Sequence, residues 1–107
     1  VNQDVFFTAH PSDDVRIVAV LDGHGKSFGK TAAEAAAEAI RAYLCAHCEM
    51  LMANPTEALK WAFQEAHNAV RTSMLSCDET LRDVGDFLLQ FVDDDSAWDA
   101  ADGGTTA

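Results

Sequence analysis

Asp22, Gly23, His24 and Gly25 follow directly on the apolar run Val18-Ala19-Val20-Leu21. A carboxylate offers hard oxygen ligands to a divalent cation, and an imidazole takes or gives a proton near neutral pH. The flanking glycines let backbone approach an ion or a phosphate closely. Four apolar residues in a row suit an interior strand, and such a strand holds its last residue rigidly at the rim of a core, where chemistry is usually mounted. The same residues also suit a plain strand-ending turn on which His24 is merely exposed. On these positions alone, both readings stay open.

Two nucleotide-binding readings of the turn fail on spacing. A phosphate-wrapping loop needs four residues between its first glycine and Gly29-Lys30-Thr31, whereas Gly23 leaves five, Gly25 leaves three and the required position is His24. A dinucleotide fold would use Gly23-x-Gly25-x-x-x-Gly29, but it requires a second strand after the first helix. Asn54-Pro55 starts another helix there instead.

The elements that must position the turn are legible from periodicity. Residues 5–9 and 15–21 read as strands joined by His10-Pro11-Ser12-Asp13-Asp14, a cluster of turn formers that predicts an antiparallel hairpin. Thr31-x-x-Glu34 is a capping-box sequence ahead of an alanine-rich stretch. Ala33, Ala36, Ala37, Ile40, Tyr43, Leu44, His47 and Leu51 then recur at three- and four-residue steps, predicting a helix over 31–52. Asn54-Pro55-Thr56-Glu57 supplies a cap, a first-position proline and a third-position glutamate for a second helix. Its stripe is Leu59, Phe63, Ala66, Val70, Met74, Cys77, Leu81, Val84 and Leu88, with a possible break between Leu75 and Thr80. So short a joint predicts an antiparallel helix pair.

Beyond Phe91 the character changes. Asp93, Asp94, Asp95, Asp99 and Asp102 crowd one stretch and predict a solvated loop, with Trp98 as a candidate anchor. Gly103-Gly104-Thr105-Thr106-Ala107 reads as the beginning of a strand. A two-stranded hairpin offers little area for two long amphipathic helices to cover, so the element list reads as one unfinished, truncated unit.

Bulk properties narrow the partners. The 107 residues fit one domain or a piece of one, and 49% hydrophobic content is normal for a globular chain. No apolar run approaches the roughly 18 residues of a spanning helix, and no basic-then-apolar secretory pattern opens the sequence. A formal charge of −11, from 18 acidic and 7 basic side chains, argues against nucleic acid or an anionic membrane as partner. Such a surface attracts cations or basic proteins. Three cysteines, an odd number, argue against a disulfide framework and for a reducing compartment, cytoplasmic or nuclear. Cys45-Ala46-His47-Cys48 has no second ligand pair at a zinc-site spacing, so buried helix cysteines are the expectation.

Four segments taken in order carry a resemblance. Asn2-Gln3-Asp4; Val18 to Gly25 with Gly29 and Ala32-Ala33; Ala58-Leu59-x-x-Ala62-Phe63; and Gly103-Gly104-Thr105-Thr106-Ala107 resemble successive motifs of the metal-dependent type 2C (PPM) serine/threonine protein phosphatases. The resemblance covers the N-terminal part of that family's catalytic domain, which is more than twice this length.

It implies an α+β fold, part of a four-layer α-β-β-α sandwich with two antiparallel sheets inside and a helix pair on each outer face. It also implies two magnesium or manganese ions whose shared water attacks phosphorus in line, with phosphoprotein substrates. By similarity Asp22 bridges both metals, the Gly23 carbonyl binds one, Asp4 acts through metal-held water, and His24 is the general acid or else a structural hydrogen-bonding residue. Gln3 stands where some members carry glutamate, and a neutral amide holds metal-bound water less strongly. The phosphate-gripping arginine belongs upstream of Val1 and the remaining metal aspartates beyond Ala107. The competing expectation is a non-catalytic, phosphatase-like binding module whose acidic stretch meets a basic partner. Oligomeric state is left open.

Overall fold

A computed structural model describes residues 3–85, 88–92, 97–101 and 103–107; the side chains of residues 89–92 and 97–100 are not described. The chain runs β1 (Asp4–Ser12), β2 (Val15–His24), α1 (Gly29–Ala46), α2 (Cys48–Ala53), α3 (Pro55–Cys77), β3 (Arg82–Asp83), β4 (Leu88–Val92), β5 (Ala97–Ala100) and β6 (Gly104–Thr106). The fold is α+β, with antiparallel strands and helices that pack against one another.

The predicted hairpin forms, and both strands run longer than their apolar cores. β1 and β2 pair antiparallel from Asp4 opposite Asp22 to Ser12 opposite Val15, with a register shift between Ala9 and Ser12. β6 joins the other edge of β2, so the sheet order is β1-β2-β6 and β2 is central. Asp22, Gly23 and His24 are therefore rungs of a ladder. They are not the turn that the glycines suggested.

The run Val18 to Leu21 also departs from a doubly buried strand. Leu21 and Ile17 point into the core, while Val18 is 76% exposed and Val20 62%. Side chains alternate across a strand, and α1 covers only one face of this sheet. The opposite face carries Phe6, Val18 and Val20 outward.

α1 lies on the inner face, burying Ala33, Ala36, Ala37, Ile40 and Leu44 against Phe7, Val15, Ile17 and Leu21. It starts at Gly29, two residues before the expected capping box, with Phe28 as an N-cap that makes no side-chain hydrogen bond. The Phe28 carbonyl accepts from Ala32 N at 2.8 Å, so Thr31 lies inside the helix and cannot cap it. The periodic stretch 31–52 is also broken at His47, whose Nδ1 lies 2.9 Å from the Tyr43 carbonyl.

α3 begins as predicted, with the Asn54 side chain accepting from Glu57 N at 3.2 Å. Its buried face, however, is Ala58, Ala62, Ala66 and Met74; Leu59 and Phe63 are 39% and 48% exposed. Alanines of α1 and α3 share one buried cluster, because two helices that meet through small side chains approach closely. α3 ends at Cys77, within the predicted break. Asp78 then forms a turn, its Oδ1 accepting from Thr80 N at 2.9 Å and from Thr80 Oγ1 at 2.6 Å.

The stripe through Leu81, Val84 and Leu88 is not helical. Leu81 and Leu88 pack with Phe28 and Met74 in a second cluster, and β3, β4 and β5 form a separate antiparallel sheet. A strand over Ala97–Ala100 replaces part of the expected acidic loop. Asp93, Asp94, Asp95 and Asp102 lie outside the described residues, as does the side chain of Trp98. All three cysteines are free, Cys45 and Cys48 half-buried and Cys77 exposed, which corrects the expectation of buried thiols.

Candidate metal centre

The sheet register brings the candidate residues together. Asp22 ends up between two neighbours, with Asp4 opposite it on β1 and Thr106 opposite it on β6. Opposed residues in an antiparallel pair present their side chains to the same face, roughly 4.5–5.5 Å apart at Cβ. Asp4, Asp22 and Thr106 are all exposed, so they form one row across the sheet on the face away from α1. His24 lies on the same face one pleat further along.

Each strand end is tied down. The Asp22 carbonyl accepts from Thr105 Oγ1 at 3.1 Å, and the Asp4 carbonyl accepts from Lys30 Nζ at 3.2 Å. His24 faces Gly104 across the ladder. A methyl group built on Gly104 would stand 2.6 Å from the imidazole Cε1 and 3.1 Å from Nε2, so the missing side chain makes room for the ring.

Gly23 points the other way and is buried. A Cβ there would lie 2.4 Å from the Gly29 carbonyl oxygen and 2.7 Å from that of Gln3, both of them backbone atoms. The main chains of the N-terminal segment, β2 and the start of α1 thus meet at a position only glycine fits. The turn that follows needs Gly25, whose φ of 109° lies in the left-handed region. Gln3 crosses beneath it, with Nε2 donating to the Gly25 carbonyl at 2.6 Å.

A cavity of about 620 Å³ lies elsewhere, lined among others by Leu21, Ile40, Phe63, Val70, Met74 and Thr105. It is lined mainly by apolar side chains, together with His67, Arg71 and residues of β6 including Thr106, and none of Asp4, Asp22 and His24 lines it.

The family model for protein phosphatase 2C matches residues 1–104. The chain belongs to the protein phosphatase 2C family. Comparison with curated proteins and with solved structures returned no significant match.

Within this phosphatase family member, the fold assembles all the residues singled out in the sequence at one end of the β1-β2-β6 sheet: Asp4, Asp22 and His24 on one face, Gly23 between them with its Cα toward the helices. Among the described residues, no group of three or more His, Cys, Asp or Glu side chains could hold a metal ion. Among the described residues, the rim offers two opposed carboxylates and backbone oxygens. Their chemistry suits a hard cation that keeps much of its water. Three further contributors stood in the sequence only as parts of motifs, without a site role. Thr105 and Gly104 meet Asp22 and His24 only through pairing across 80 residues or more, and the role of Gln3 toward Gly25 shows only once the turn is folded.

Proposed function

We propose that the protein hydrolyses phosphoserine and phosphothreonine in proteins with magnesium or manganese, and that this chain supplies the N-terminal part of the catalytic domain. The observation that carries the reading is the placement of Asp22 on the central strand directly opposite Asp4, with His24 one pleat away on the same face. Like charges directly opposite one another destabilise a ladder, by roughly 0.2–1 kcal/mol. A divalent cation held by Asp22, with Asp4 acting through its water, would offset that cost.

When bound, the cations supply a water that is nucleophilic at neutral pH and charge that offsets the developing phosphoryl negative charge. Asp22 would hold both ions, the Gly23 carbonyl one of them, and Asp4 would orient water in their shell. His24 would hand a ring proton to the serine or threonine oxygen as its bond to phosphorus breaks. Packing of the imidazole on Gly104 fixes the ring's position without closing it to solvent. Phosphoprotein substrates, and a reducing compartment, cytoplasmic or nuclear, belong to the same reading; the free cysteines support the latter.

The test is manganese-dependent hydrolysis of a phosphothreonine peptide by the complete protein beside its Asp22→Asn variant. Activity confined to the unaltered protein supports the reading, and equal activity in both overturns it. A non-catalytic binding module is the alternative supported by the short ligand set among the described residues. Titration calorimetry with manganese separates the two, because a module of that kind needs no micromolar divalent site.

A further inference from the structure

Gln3 makes one polar contact that neither its neighbours nor the metal reading accounts for. Its Nε2 donates to the Gly25 carbonyl at 2.6 Å across 22 residues of sequence. The acceptor is a carbonyl oxygen, so only a donor can face it. Gly29 extends the same contact. A Cβ on Gly29 would lie 2.5 Å from Gln3 Nε2, 2.7 Å from Cδ and 2.8 Å from Oε1, which means that the amide fills the space a side chain would take. On its other side, the Gln3 carbonyl occupies the space beside Gly23. One residue thus contacts all three glycines of the turn from Gly23 to Gly29, and the next residue along the chain is Asp4.

We infer that Gln3 is a positioning residue, a latch whose side-chain amide holds the glycine turn against the start of β1 and so sets His24 and the Gly23 backbone relative to Asp4. The amide is the required chemistry. A glutamate would put a carboxylate against a carbonyl, two acceptors with no proton between them, and would release the turn. A residue acting instead on metal-held water would behave oppositely, because a carboxylate binds such water more strongly than an amide. Gln3→Glu therefore has a different sign under the two roles.

The latch itself rests on the geometry above, while its effect on rate rests on the proposed phosphatase reading. Three measurements on the complete protein test it. In the unaltered protein, nuclear magnetic resonance should show the Gln3 side-chain amide exchanging more slowly than that of Gln64, which is exposed; equal rates overturn the latch without any variant. In Gln3→Glu and Gln3→Met, amide exchange over residues 25–33 should quicken roughly two- to tenfold, the range of one ordinary hydrogen bond, with the β1–β2 ladder unchanged. With a phosphothreonine peptide, both variants should lose kcat by a similar factor while the manganese activation constant holds. If Gln3→Glu keeps the turn protected and tightens manganese binding, Gln3 acts on the metal's water and the latch is wrong. If no manganese-dependent activity is found even in the unaltered protein, the phosphatase reading fails, and the two exchange experiments still decide the latch.

Discussion

At the scale of single residues, the proposed site rests on two carboxylates opposite each other on neighbouring strands. Neutralising one of them removes their repulsion, so Asp22→Asn should leave the metal-free protein equally stable or more stable by a few tenths of a kcal/mol, up to about 1. Manganese should raise the melting temperature of the unaltered protein and leave that of Asp22→Asn unmoved, or at least weaken binding by the roughly 10–100-fold that even indirect ligands command. Differential scanning fluorimetry with and without the metal reads both effects. His24 makes a sharper prediction. A general acid matters most when the leaving oxygen is a poor leaving group, so His24→Ala should lower kcat about 10²-fold or more on a phosphothreonine peptide. On an aryl phosphate, whose phenolate leaves unaided, the loss should be far smaller. Equal losses on both substrates would assign His24 a structural role.

At the scale of elements, two joints hold the fold together. The first is the meeting of three main chains at Gly23. Because the Cβ of Gly23→Ala would press on backbone oxygens at 2.4 and 2.7 Å, neither of which swings aside as a side chain does, we expect a loss of about 1–3 kcal/mol in chemical denaturation. The atoms nearest a Gly104→Ala methyl are those of the His24 ring, a side chain that can shift, so the substitution should cost less stability than Gly23→Ala and more activity. The second joint fastens α3 to the start of the second sheet. Arg71 on α3 forms an ion pair with the Asp83 carboxylate and donates through NH2 to the Gly85 carbonyl at 2.5 Å. The Gly85 backbone N–H, chiefly, and the Arg71 guanidinium hold the Asp83 carboxyl below its ordinary pKa. A group depressed on folding contributes stability above its unfolded pKa and loses it as pH falls through the folded value. The Arg71–Asp83–Gly85 contact should therefore be intact at neutral pH and dissolve on acidification below the ordinary aspartate range, a change that Asp83→Asn abolishes in the amide chemical shift of Gly85.

At the scale of the whole molecule, the described chain is a slab, 55 × 29 × 19 Å along its principal axes. Its radius of gyration of 15.6 Å exceeds the about 13 Å of a compact domain of this length. Helices on a single side of the β1-β2-β6 sheet, with a separate small sheet after α3, accompany this extended shape and leave the face bearing Phe6, Val18 and Val20 next to the carboxylate row. Contiguous exposed apolar surface on a soluble chain promotes association. The 107-residue chain by itself should bind a hydrophobic dye and self-associate in sedimentation, and Val18→Thr with Val20→Thr should reduce both. In the complete protein the same double substitution should instead destabilise, if a second sheet covers that face as the family resemblance implies. A charge of −11 spread over so small a body favours cationic ligands and does not favour nucleic acid.

The local signals that sequence carries were enough for the hairpin, the alanine-rich α1, the Asn54-Pro55 start of α3 and the final strand, because periodicity, caps and turn formers act over a few residues. They were enough to recognise the family, which the family match over residues 1–104 bears out, and to propose Asp4, Asp22, Gly23 and His24 as its site residues. Three things only the tertiary structure decided. It placed Asp22 to His24 within a central strand, because β6 arrives from the far end of the chain to pair with them. It put Ala58 and Ala62, not Leu59 and Phe63, into the helix contact, because close approach of two helices rewards small side chains. It turned Gln3 from a weak substitute for glutamate into a donor aimed at Gly25. The first and third depend on partners 22 or more residues away, the second on packing between two different helices, and no short window of sequence contains those partners.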